Sequence, residues 1–125
     1  MIDISNEVQI SVVDDDESLR ESLDGLFKSL GYSVEVFASA ESFLSSEALT
    51  RTDCLILDVR MPGMSGPKVQ QELVRQRREI PIVFITAHGD ADMISRLMAD
   101  GAVDCLLKPF GEDCLLKAVS EALAR

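Results

Sequence analysis

Short apolar runs alternate with stretches of helical periodicity along almost the whole chain, and this alternation constrains the fold more than any other feature. Val8 to Val13 reads as a first strand. Leu19, Leu23, Leu26, Phe27 and Leu30 then recur at the 3.6-residue spacing of one buried helix face. Gly31 supplies a stop, because it enters the left-handed conformation that ends helices without a Cβ clash. Ser33 to Phe37 reads as a second strand, and Ser39 is placed to cap a short helix running through Leu44. Cys54 to Leu57 is apolar without alternation, as in a strand covered on both faces. A turn from Arg60 to Gly66 leads to Pro67, which suits the first position of a helix. In that helix Val69, Leu73 and Val74 are expected inward, with Gln70, Gln71, Arg75 and Arg78 on the polar face. Pro81 to Thr86 is the fourth strand, Ala91 to Asp100 a helix ended by Gly101, and Val103 to Leu107 the fifth strand. Leu115, Leu116, Val119 and Leu123 line the last helix.

Five strands alternating with five helices predict right-handed crossovers and a parallel sheet with helices on both faces. The fold class is therefore α/β, a flavodoxin-like (βα)5 doubly wound five-stranded sheet, and residues 1–125 are expected to make one domain. Hydrophobic residues at 46% and charged residues at 27% argue against disorder. The apolar runs are too short to span a bilayer. Residues 1–7 lack the basic and apolar regions of a signal peptide, so a cytoplasmic location is expected. A formal charge of −10 opposes contact with nucleic acid or anionic membrane and favours cations and basic partners. Cys54, Cys105 and Cys114 make no CxxC pair or metal-ligand spacing and are read as structural thiols of a reducing compartment.

The polar residues that interrupt the strands carry the functional signal. Strand one ends in Asp14-Asp15-Asp16, strand three in Asp58, strand four in Thr86, and strand five runs into Lys108-Pro109. In an open parallel sheet, ligands gather beyond the carboxyl ends of the strands. Carboxylates crowded there repel one another unless a cation sits among them. Oxygen donors with positions left for water and phosphate suit Mg²⁺ or Mn²⁺ better than zinc. A phosphoryl group at that edge would meet a metal and Lys108, and one carboxylate can act as nucleophile to form an acyl phosphate. Thr86 offers a hydroxyl to a phosphoryl oxygen. The bland alternative is a salt-bridged strand edge, with Lys108 neutralising Asp58 and Asp14 capping the first helix.

Four segments together resemble the receiver domain of bacterial two-component response regulators: Val12 to Asp16, Leu57 to Gly66, Phe84 to Ala87 and Leu107 to Phe110. The resemblance runs from about Val8 to the C-terminus. It implies that Asp58 accepts phosphate from a histidine of a sensor kinase. It implies that Asp15, Asp58 and the backbone carbonyl of Arg60 bind Mg²⁺, with Asp14 acting through water. Lys108 would pair with the phosphoryl group, its bond to Pro109 would be cis, and Thr86 would move toward the phosphate. Ala87 would leave the phosphoryl group room to enter. Such a domain catalyses only its own phosphorylation and dephosphorylation, and is not otherwise an enzyme.

Ile85 to Asp90 and Gly101 to Asp104 are similar to the nitrogen-fixation and nodulation regulators, which carry a helix-turn-helix transcription domain after the receiver. No output domain is expected in this chain, which reads either as an excised receiver or as a stand-alone or degenerate receiver acting by docking. Phosphorylation-dependent homodimerisation, through the face that includes Ala91 to Asp100, is a further expectation. One departure stands out: Cys105 occupies the position where such domains usually carry Phe or Tyr. That puts the aromatic half of the usual switch in doubt and leaves the loop after Thr86, or the helix that follows it, as the route. His88 is read as a surface loop residue without a catalytic role. Aspartate phosphatases of the haloacid dehalogenase kind would need a second aspartate where Arg60 stands. No GxGxxG or Walker pattern supports a nucleotide or flavin module.

Overall fold

The computed structural model describes residues 7–125; residues 1–6, most of the stretch read for a targeting signal, lie outside it. Five strands form one parallel sheet: β1 (Gln9–Val13), β2 (Ser33–Phe37), β3 (Cys54–Asp58), β4 (Ile82–Thr86) and β5 (Asp104–Leu107). Their order is β2-β1-β3-β4-β5, with every pairing parallel. This is the flavodoxin-like order, in which the chain reverses its direction of winding between β1 and β3. The helices are α1 (Glu17–Ser29), α2 (Ala40–Leu44), α3 (Gly66–Arg75), α4 (Ala91–Ala99) and α5 (Glu112–Leu123), with a 3-10 turn at Glu47–Thr50. No described helix is long and apolar enough to cross a membrane.

Alternation along each buried strand divides the core in two. Ile10, Val12, Cys54, Ile56, Val83 and Ile85 pack against Leu23 and Phe27 of α1 and Leu115, Ala118, Val119 and Ala122 of α5. On the other face, Val13, Leu55, Leu57, Ile82 and Phe84 meet α2, α3 and Leu97 of α4. β1, β3 and β4 are buried along their whole lengths, which explains why they carry unbroken apolar runs. Burial pushes the Cys54 thiol up to about 12, with Asp53 adding to the effect, so it serves as a small hydrophobe. Cys105 is half-buried against the same core as Phe84, and desolvation followed by Asp104 raises its pKa as well.

Two details of the helices differ from the periodicity. In α3 the inward positions are Gly66, Val69, Gln70 and Leu73, whereas Val74 is 64% exposed. Gln70 belongs inside because its amide Nε2 donates to the Leu97 carbonyl of α4 at 3.2 Å, satisfying a buried polar group. Val74 sits 100° around the helix from Leu73, one residue from the C-terminus of α3, beyond the edge of the packed face. Leu30 is likewise 49% exposed, because it is the C-cap of α1 and lies past its last buried turn.

Candidate phosphoacceptor and metal site

The topology brings the carboxyl ends of β1, β3, β4 and β5 to one edge, and the sequence-predicted residues converge there. Asp14 follows β1 and is fully buried, Asp58 closes β3 at 5% exposure, and Thr86 closes β4. Asp15 is exposed beside them. One carboxylate oxygen from each of Asp14, Asp15 and Asp58 lies within 4.8 Å of the others. Lys108 reaches in from the end of β5, with Nζ 2.8 Å from Asp14 Oδ2 and 3.7 Å from Asp58 Oδ2. The Lys108–Pro109 peptide bond is cis, as the resemblance implied.

Local hydrogen bonds hold this arrangement. Asp16, not Asp14, caps α1: its carboxylate accepts from the backbone of Ser18 and Leu19. Asp14 Oδ1 instead accepts the Asp16 N–H at 2.8 Å, and Arg20 of α1 donates from Nη1 to the Asp14 carbonyl at 2.9 Å. Arg20 carried no sequence signal as a site residue, although its spacing one turn into α1 brings it back over the strand end. The Arg60 N–H points at Asp58 Oδ1 at 3.4 Å, which places the backbone of Arg60 at the site while its side chain is exposed. The Lys108 N–H donates to the Thr86 carbonyl at 2.7 Å and ties β5 to β4. Thr86 Oγ1 engages the backbone of His88, accepting its N–H at 3.1 Å and donating to its carbonyl at 3.3 Å. His88 itself stands exposed on the loop with Ala87.

The electrostatics are those of a site built for a positive guest. Desolvation first, and then the charge of Asp14, push the Asp58 carboxyl up to about 6, despite the lowering influence of Lys108 and the Arg60 N–H. Burial works against the charge of Lys108, but the hydrogen bond it donates to Asp14 and the charges of Asp58, Asp14 and Asp16 outweigh it and hold the ammonium above its ordinary range. Three carboxylates against one ammonium leave negative charge in excess. Donors of oxygen only, with no thiol or imidazole among them, fit a hard divalent cation such as Mg²⁺.

The backbone behind Asp58 has no room to spare. A Cβ on Gly66 would lie 2.4 Å from the Asp58 carbonyl oxygen, 3.0 Å from Val59 Cα and 3.1 Å from the Phe84 ring. Gly66→Ala is therefore expected to shift the end of β3 and cost about 2 kcal/mol, an overpacking effect in a site that cannot expand freely. A denaturant midpoint equal to that of the unsubstituted protein would contradict this.

Comparisons with known proteins agree with the geometry. Residues 10–120 match the family described as the response regulator receiver domain. The chain is 50% identical over 121 residues to nodulation protein W of Bradyrhizobium diazoefficiens, an alignment covering 97% of this chain and 53% of that protein. It is 47% identical over 114 residues to the response regulator protein TodT of Pseudomonas putida, covering 91% of this chain and 50% of that one. The chain thus spans about half the length of these curated relatives. Among solved structures, FixJ-N superposes with a TM-score of 0.84 at 34% identity, covering all of this chain and 97% of its own. The response regulator StyR gives 0.85 at 47% identity, covering 94% of this chain and 60% of that one. Likeness of this strength over nearly the whole length leaves one assignment: the chain belongs to the response regulator receiver domain family, whose members are phosphorylation-controlled switches of two-component signalling.

Proposed function

We propose that Asp58 is the phosphoacceptor of this receiver and that Asp14, Asp15, Asp58 and the backbone carbonyl of Arg60 hold the divalent ion, Mg²⁺ or Mn²⁺. The observation that carries the reading is the convergence of three carboxylates within 4.8 Å on a lysine paired with two of them. Receiver domains bind Mg²⁺ and interact with histidine kinases, and the oxygen-only donor set supports the same here. A bound ion supplies neutralising charge to the carboxylates and to the oxygens of an incoming phosphoryl group.

In the reaction, an Asp58 oxygen attacks phosphorus, the phosphorus–nitrogen bond of the donor phosphohistidine breaks, and an acyl phosphate forms. The imidazole leaves with the electron pair of that bond. Lys108 stands 3.7 Å from Asp58 and is placed to pair with the new negative charge. Thr86 has a hydroxyl already committed to the His88 backbone. Turning it toward a phosphoryl oxygen exchanges those bonds and releases the loop from Ala87 to Asp90. The Leu107 side chain of β5 lies close against that loop, where a Cβ on Gly89 would meet its Cδ2 at 2.8 Å. Half-exposed Leu107 is thus a route by which the loop's movement reaches the surface of α4 and β5, where Cys105 lacks the bulk of an aromatic switch.

Residues 1–125 are read as a single receiver domain whose phosphorylation controls a transcription output, through homodimerisation or docking. The names of relatives such as the transcriptional regulatory protein FixJ support this. The test is chemical. With acetyl phosphate and Mg²⁺, intact-protein mass is expected to show one phosphoryl adduct that maps to the peptide containing Asp58, and EDTA should prevent it. An adduct elsewhere, or one indifferent to EDTA, overturns the assignment.

A further inference from the structure

Resting on that reading of the site, we infer that Glu41 is a positioning residue for the metal-binding loop, acting from α2 through the backbone of Met64. The loop in question leaves β3 at Asp58 and enters α3 at Gly66, so it carries the Arg60 carbonyl. Its two ends are fixed by the fold: Val59 is buried behind Asp58, and the Gly66 N–H returns to the Val59 carbonyl at 3.0 Å. Met61 anchors the first half by inserting its side chain into the core that Ala40 and Phe43 of α2 share. In the outer half, Pro62 to Ser65, Met64 lays a partly buried side chain against the same core, and its backbone needs a partner of its own. Pro62 has no N–H to offer, and Gly63 adopts φ +78° with no side chain.

Glu41 is that partner. Its Oε2 accepts the Met64 N–H at 3.2 Å across 23 residues of chain. The same oxygen sits 2.7 Å from where a Cβ on Gly63 would be, so the carboxylate lies in the space that glycine leaves open. A second role follows from α3, whose N-cap Ser65 makes no side-chain cap and whose first turn has no acidic residue. The Glu41 carboxylate, one residue outside that cap, supplies the negative charge that the N-terminus of α3 favours. Helix α2 thus holds the loop in two ways: Ala40 and Phe43 through the core that Met61 enters, and Glu41 through the Met64 backbone. A loop freed at Met64 gives the Arg60 carbonyl a wider range of positions, and a ligand that must be ordered before binding costs affinity.

The experiment compares the unsubstituted domain with Glu41→Ala and Glu41→Gln by amide NMR during Mg²⁺ titration. Glutamine keeps an oxygen that can accept the Met64 N–H and removes only the charge. We expect Glu41→Ala to weaken Mg²⁺ about fivefold, the worth of one net hydrogen bond, and to speed exchange of the Met64 amide. Glu41→Gln should keep both near their original values. Equal weakening by the two variants would mean that Glu41 acts by its charge, on the cation or on the N-terminus of α3, and positioning through the Met64 N–H would fall. Unchanged affinity in Glu41→Ala would overturn it too, with the site reading intact. A domain whose Asp15 and Asp58 amides ignore Mg²⁺ before any substitution would overturn the site reading and this inference with it.

Discussion

Asp58→Asn is expected to reduce labelling by acetyl phosphate to background and, in the same molecule, to stabilise the fold. The two effects have one cause. Asp58 is almost wholly buried beside a fully buried Asp14, and its carboxyl is pushed up to about 6 from an ordinary value of 3.8. The folded protein thus holds this proton more tightly than the unfolded chain does. The stability tied to it is whole below pH 4 and is lost as the pH rises through about 6. At 1.4 kcal/mol per pKa unit, the ionised group costs about 2 to 3 kcal/mol at neutral pH without a cation. Asparagine keeps the shape and omits the charge, so thermal unfolding in EDTA at pH 7 should shift upward by about 5 °C or more. At pH 4 the two proteins should converge. Mg²⁺ should then raise the midpoint of the unsubstituted domain far more than that of the variant, since only the former has the full carboxylate set to gain from it. Equal stability of the two in EDTA at neutral pH would contradict the electrostatic account.

The residues that make this site costly are also those most easily read from sequence. Asp14, Asp58, Thr86 and Lys108 each break an apolar run at its carboxyl end. A parallel sheet sends all such ends to one edge, so local pattern alone predicts their meeting. What lay beyond reach depends on partners distant in the chain. Gln70 looks like a surface residue until Leu97 of α4 is known to offer it a carbonyl. Val74, as apolar as Val69, falls outside the core because α3 ends just after it. Glu41 reads as an ordinary first-turn acid of a short helix, and nothing near it in sequence announces Met64 as its donor. The 3-10 turn at Glu47–Thr50 is too short for periodicity to reveal. Thr86 was legible as a site residue, but its commitment to His88 is a property of this conformation that composition and spacing do not encode.

Lys108→Ala should do the reverse of Asp58→Asn in EDTA and unfold the domain more readily. Among the described residues, Lys108 is the only lysine or arginine paired through its charge to Asp14, at 2.8 Å, and Asp14 has no exposure to water. Removing one member of a buried pair leaves the other charge uncompensated, a loss of about 3 kcal/mol. The Asp16 N–H still reaches Asp14, and one neutral donor does not replace an ammonium. A divalent cation among the same carboxylates does supply positive charge, so Mg²⁺ should recover more stability in this variant than in the unsubstituted domain. Chemistry would not recover with it. In the proposed reaction Lys108 meets the charge developing on the phosphoryl oxygens, so its loss should slow labelling of Asp58 about 100-fold even at saturating Mg²⁺. Denaturant midpoints with EDTA and with Mg²⁺, followed by labelling rates under the second condition, separate the two roles. Full labelling in a domain destabilised as described would confine Lys108 to a structural counter-charge and reassign the stabilisation of the phosphoryl group to the metal alone.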